Sequence, residues 1–131
     1  MSHPVKNINV SINKPAKDVY QFASNPENFP KWVQFVKSIT RQNDSWTAQT
    51  DLGTIRMKFA PQNEFGIIDH HVTLANGDTI YNPMRVIPNN KGCEFIFTLF
   101  WLPGRSETEF NEDAKAVTND LHKLKEIMEG K

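Results

Sequence analysis

Phe110-Asn111-Glu112-Asp113-Ala114-Lys115-Ala116-Val117-Thr118-Asn119-Asp120-Leu121-His122-Lys123-Leu124-Lys125-Glu126-Ile127-Met128 is the stretch that decides the fold. Within it Phe110, Ala114, Val117, Leu121, Leu124 and Met128 recur at alternating spacings of four and three. That is the apolar stripe of one long amphipathic helix. Ser106 and Glu109 stand just ahead of it as a capping box, so both have a structural role at its start. Nearly everything from Ile39 to Trp101 reads instead as short alternating strands. One long helix must therefore cover one large antiparallel sheet, and a helix laid across a curved sheet leaves room for a pocket between them.

The chain of 131 residues predicts a single domain over 1–131, long enough to bury a core without staples. Fifteen basic and fifteen acidic side chains cancel, and neither sign forms a block. A nucleic-acid partner or an acidic membrane surface is not expected. Cys93 is the lone cysteine, which excludes an internal disulfide framework, and no apolar run is long enough for a signal core or a membrane span. The expectation is a cytoplasmic protein without membrane insertion, in which the sequons at Asn9 and Asn43 carry no meaning.

Ile8, Val10 and Ile12 alternate with polar neighbours and predict the first strand. Pro15 stops it, and Ala16 to Ala23 suits a short helix with Val19, Phe22 and Ala23 on one side. Asn25-Pro26 caps and opens a second short helix running toward Trp32, which Pro30 is expected to kink or end. About six strands follow. Ile55, Met57 and Phe59 face inward on one; Phe95, Phe97, Leu99 and Trp101 do so on another.

The strand from Ile67 to Leu74 is where this parity bears on function. A two-residue Asn76-Gly77 turn would set Ile68 opposite Arg85 and bury a charge. A three-residue Ala75-Asn76-Gly77 loop with glycine in the left-handed bulge position pairs Val72 with Ile80, His70 with Asn82 and Ile68 with Met84. A four-residue Asn89-to-Gly92 loop then pairs Val86 with Phe95, Met84 with Phe97 and Asn82 with Leu99. His70 and Asn82 thus sit side by side on a greasy wall, where an unpaired polar group costs about 1–3 kcal/mol. Either they satisfy one another structurally, or they orient a ligand, with Asn82 bonding a carbonyl or hydroxyl and His70 acting as donor or general base. A slip of one residue would replace them by Asp69 and His71.

The order strand, two short helices, six strands, long helix resembles the helix-grip fold of the START and birch-pollen-allergen (SRPBCC) superfamily, especially bacterial polyketide cyclase/dehydrase-like proteins. The matching stretches are Val10-Ser11-Ile12-Asn13-Lys14-Pro15-Ala16 before Val19-Tyr20, Asn25 to Trp32, Gly66 to His70, Pro83 to Pro88, Phe97 to Phe100, and Asp120-Leu121. The resemblance implies an α+β class with a curved seven-stranded antiparallel sheet wrapped on the long C-terminal helix. It also implies a cavity between sheet and helix, closed by the two short helices and the hairpin tips. Its expected lining is Trp32, Met57, Phe59, His70, Val72, Asn82, Met84, Phe97, Leu99, Trp101, Val117 and Leu121, with His70 the catalytic candidate. Phe29 and Trp32 would gate or line one end, and small Ala114 on the helix would leave room over the sheet. The superfamily has no shared catalytic signature, so function rests on the lining.

Other constellations do not hold. Adjacent His70 and His71 point to opposite faces of a strand and lack a chelating partner, so no metal is expected. Cys93 reads as a small buried hydrophobe, the glycines are scattered turn residues, and no cofactor is expected. On the outer face Ile67, Tyr81, Ile87, Ile96 and Phe100 would be exposed among Asp69, His71, Arg85 and Glu94, which suits either a homodimer surface or scattered apolars with an Asp69–Arg85 ion pair. Two functions follow. One is a carrier or sensor of a small hydrophobic molecule (lipid, isoprenoid, aromatic or polyketide-like). The other is a cyclase or dehydratase in which His70 removes a proton beside a ketone and Asn82 steadies the enolate. A protein-interaction module using the outer face is a third.

Overall fold

The computed structural model describes residues 2–130. Strand β1 (Val5–Ile12) leads into helix α1 (Ala16–Ala23), a 3-10 turn (Pro26–Asn28) and the one-turn helix α2 (Phe29–Trp32). Seven strands follow: β2 (Val36–Gln42), β3 (Ser45–Thr50), β4 (Gly53–Phe59), β5 (His70–Thr73), β6 (Thr79–Asn82), β7 (Met84–Asn89) and β8 (Gly92–Phe100). The chain closes with α3 (Glu107–Glu129).

The segment expected to be one short helix is two. The Asn25 side chain accepts from the Glu27 N–H at 3.1 Å and starts the 3-10 turn. Pro30 then stands in the first turn of α2 instead of ending a helix, because a missing N–H is harmless there. At the other end of the chain the Ser106 hydroxyl accepts from the Glu109 N–H (3.1 Å) and the Glu109 carboxylate from the Ser106 N–H (2.9 Å). This is the capping box that the sequence predicts.

All strand pairs are antiparallel, in the orders β1-β8-β7 and β2-β3-β4-β5-β6. The two groups join at Pro83, the residue between β6 and β7. Pro83 offers no N–H to a ladder, so the strand expected to run unbroken from Ile80 to Ile87 is split and the count is eight strands, not seven. Continuity survives around it. The Ile68 N–H donates to the Met84 carbonyl (2.8 Å), Thr98 N–H to the Pro83 carbonyl (3.1 Å), and Ile67 bridges Arg85. Gly66 permits this junction, because it lies at φ +72° and a Cβ there would run into the Val86 carbonyl oxygen.

The register agrees with the parity argument. His70 pairs with Asn82, Val72 with Ile80, Met84 with Phe97 and Val86 with Phe95. Leu74 and Asp78 close the β5–β6 hairpin around Ala75-Asn76-Gly77, with Gly77 at φ +93°. The β7–β8 turn is tighter than expected: Asn89 pairs with Gly92, leaving Asn90 and Lys91 as the loop, with Asn90 itself in the left-handed region at φ 56°. The core lies on the concave side, where Ile12, Val19, Phe29, Ile55, Met84, Phe95, Leu121 and Leu124 are almost fully buried.

Candidate functional site

Helix α3 approaches β1 most closely, and its Leu121 and Leu124 join the buried cluster that also holds Met57, Val72, Met84 and Phe95 from the concave face. At one end the plug is aromatic: Phe29, 2% exposed, meets Trp32, Phe59 and His70 edge-on at ring-centroid distances of 5.3, 5.2 and 5.8 Å. Trp32 in turn meets Phe95 at 5.8 Å. Edge-to-face contacts of this kind add to the stabilisation from burial alone.

His70 stands at the inner limit of this plug, 4% exposed and against the Phe59 ring at 5.0 Å. Its Nδ1 lies 3.3 Å from the Ile68 carbonyl, which can only accept, so Nδ1 carries the proton. Nε2 is then an acceptor, 3.5 Å from the Asn82 side-chain nitrogen. Burial holds the imidazole neutral, with its pKa lowered from 6.5 to about 4; the bond to Ile68 offsets only part of this.

Beyond His70 the inward-facing side chains are less completely buried. Leu74, Ile80 and Asn82 on the β5–β6 hairpin, Phe97 and Leu99 on β8, and Val117 on α3 are half-buried, although their strand parity or helix stripe points them inward. Met57, Val72, Met84 and Leu121 floor the region and are buried, as is Trp32; Phe59 is half-buried. Eleven of the twelve lining candidates thus belong to the concave layer. Trp101 does not. It follows the end of β8, stacks on Phe110 at 5.1 Å and donates from Nε1 to the Arg105 carbonyl (2.8 Å), on the wall of a separate surface hollow of about 330 Å³.

Two features were not read from the sequence as parts of a site. The Trp32 indole N–H is buried with no acceptor among the described residues. Asp120 on α3 accepts from the Gln34 backbone N–H at 3.2 Å and tethers the segment after α2 to the helix. Burial pushes the Asp120 carboxyl up to about 6, against that bond. Both residues border a hollow of about 400 Å³ shared with Lys31 and Lys123. Among the described residues no cluster of His, Cys, Asp or Glu side chains is arranged to hold a metal. Cys93 is buried, and burial raises its thiol pKa, which keeps it in the unreactive form.

The convex face is organised around Asp69. Its carboxylate accepts from Arg85 Nε (3.0 Å) and a terminal guanidinium nitrogen (2.8 Å), from Tyr81 Oη (2.9 Å) and from the Met84 N–H (3.0 Å). Burial alone would raise the Asp69 pKa, but these donors hold it below the usual carboxylate range. Tyr81 stacks between His71 (4.9 Å) and Phe100 (6.2 Å). Only Tyr81 (40%) and Ile87 (47%) of the expected apolar patch are exposed; Ile67, Ile96 and Phe100 are half-buried. Asp69→Ala strands four donor groups on three residues beside the β6–β7 junction, and a loss of about 1–3 kcal/mol in chemical denaturation is expected. A loss well under this range would mean that water replaces the carboxylate.

No family sequence model matches the chain, and no curated protein matches it in sequence. Solved structures do. A START superfamily protein from Mycobacterium smegmatis superimposes with a TM-score of 0.74 at 14% identity, over 96% of this chain and 97% of that one. The Aha1 dimer from Colwellia psychrerythraea gives 0.77 at 11% identity, over 96% of both chains. A protein of the dynemicin biosynthetic locus gives 0.70 at 12% identity, over 95% of this chain and 47% of its own. Together with the curved sheet, the long C-terminal helix and the short helices after strand β1, these likenesses show that the chain has a helix-grip fold like that of the M. smegmatis START protein.

Proposed function

We propose that the protein binds a small hydrophobic molecule, such as a lipid, isoprenoid, aromatic or polyketide-like compound, in the cleft between the concave sheet and α3, with Asn82 and His70 at its polar end. The supporting observation is the set of half-buried apolar side chains at Leu74, Ile80, Phe97, Leu99 and Val117 around Asn82. A well-filled core would bury these side chains, and leaving them wet forgoes roughly 25 cal/mol per Å². The test is titration with Nile red, a neutral apolar dye. Saturable one-to-one binding that Leu99→Trp lowers by about tenfold or more is expected, because the indole would fill the opening. Binding unchanged in Leu99→Trp would place the dye elsewhere and sink the reading.

Binding fits the site better than the cyclase alternative. A general base works best with a pKa near the operating pH, whereas His70 is held at about 4 and its free lone pair faces the Asn82 amide. No second titratable side chain lies beside it on the inner face among the described residues: its cross-strand neighbours are Phe59 and the uncharged amide of Asn82. The dynemicin-locus relative is too distant to carry a reaction across.

Self-association of two copies through the convex face is a second proposal, motivated by exposed Tyr81 and Ile87 on that face and by a structurally similar protein described as a dimer. No helix among the described residues is long and apolar enough to cross a membrane. Sedimentation should show a concentration-dependent dimer that Ile87→Lys abolishes; monomer alone at high concentration would remove the idea.

A further inference from the structure

We propose that the cleft takes its ligand polar group first, and that this group is a neutral hydroxyl or carbonyl rather than a carboxylate or an ammonium. The inference rests on the cleft being the binding site proposed above, and it names the ligand class by what Asn82 can recognise.

Along the inner face from β4 to β8 the described residues carry no charged side chain; Lys58, Asp69, His71, Arg85 and Glu94 all fall on the opposite parity. Asn82 is the half-buried hydrogen-bonding group there, and among the described residues its side chain makes one hydrogen bond, the long one to His70. The direction of that contact is set by Ile68, whose carbonyl takes the imidazole proton at Nδ1. Nε2 must then accept from the Asn82 NH2 group, leaving Asn82 one N–H and its Oδ1 for a ligand.

One donor beside one acceptor suits a hydroxyl, which uses both, and a carbonyl, which uses the donor. A carboxylate in the same place would have its charge against Oδ1 and a neutral imidazole, with no cation to offset the lost hydration; an ammonium would find one acceptor and no anion. A cation does stand at the outer end of this face. Lys6 pairs with Leu99 across β1 and β8, but its ammonium is held at 2.9 Å from Asn111 Oδ1 and 5.3 Å over the Phe110 ring, at the start of α3. Such a charge favours an anionic group at the mouth, not at Asn82. The buried, unspent Trp32 N–H belongs to the same Phe29-centred cluster as His70 and adds a donor, not a charge.

The experiment is displacement of Nile red, at neutral pH, by four probes sharing a ten-carbon chain: decan-1-ol, decan-2-one, decanoate and decylammonium. Wild type is compared with Asn82→Leu, whose fold is checked by its circular dichroism. In the wild type the alcohol and ketone should bind at least about tenfold more tightly than the two ions, and Asn82→Leu should remove that preference by weakening the neutral probes alone. Equal affinities, a tighter decanoate, an alcohol affinity untouched by Asn82→Leu, or bound Nile red that no probe displaces would each overturn the neutral inward group while leaving cleft binding intact. Absence of Nile red binding to the wild type would overturn both.

Discussion

Phe29→Ala is expected to destabilise the protein by about 3–5 kcal/mol, the range for removing a buried aromatic ring and leaving a cavity. Phe29 is 2% exposed and its ring is the common neighbour of Trp32, Phe59 and His70. It belongs to a one-turn helix, too short to hold itself in place, so packing and not helix propensity keeps α2 over the sheet. The substitution should also wet His70. Its imidazole, now titrating at about 4, should move back toward 6.5 as water reaches the ring. Denaturant unfolding gives the first quantity and the NMR titration of the ring the second. A loss below about 1 kcal/mol would mean that the helix collapses onto the vacancy, and an unmoved His70 titration would mean that Phe29 is not what keeps it dry.

The second large effect is the pH dependence that His70 imposes. Its folded pKa, about 4, is below the ordinary 6.5, so between these values the unfolded chain binds a proton that the native protein refuses. Stability contributed by neutral His70 is complete above pH 6.5 and is lost as pH falls toward 4, by about 3 kcal/mol at about 1.4 kcal/mol for each tenfold in proton affinity. Asp120 acts with opposite sign: raised from 3.8 to about 6, it binds its proton more readily in the native state, so acid relieves a penalty there. The clean observable is the difference between wild type and His70→Asn, in which Asp120 cancels. That difference should shrink by about 3 kcal/mol between neutral pH and pH 4. A difference that is flat with pH would show that His70 is hydrated in the native state.

The helix over 107–129 and the inward parity of β4, β5 and β8 were legible because both are periodic in single residues: one face apolar, the other polar. The His70–Asn82 pairing was legible for a different reason. Gly77 sets the loop length, and only a three-residue loop keeps Arg85 off the buried face. The break at Pro83 was visible as a residue but not as an event, since the same apolar alternation continues through it and the hydrogen bonds that carry the sheet past it come from Ile68 and Thr98. Trp101 kept the parity of β8 but lost its strand, because its N–H turns to the Pro4 carbonyl and its ring to Phe110. Asp120 and the orphaned Trp32 N–H could not be read at all. Both depend on how the segment after α2 meets α3, a contact between residues 34 and 120 that no local pattern encodes.

Native mass spectrometry of the purified protein, with solvent extraction and identification of what it releases, tests cleft binding most directly. An apolar small molecule bound one to one, and lost from Met84→Trp and Leu99→Trp, is the expected result. A clean apo mass that no neutral hydrophobic compound shifts, for wild type as for both variants, would contradict it and turn attention to the convex face around Tyr81 and Ile87.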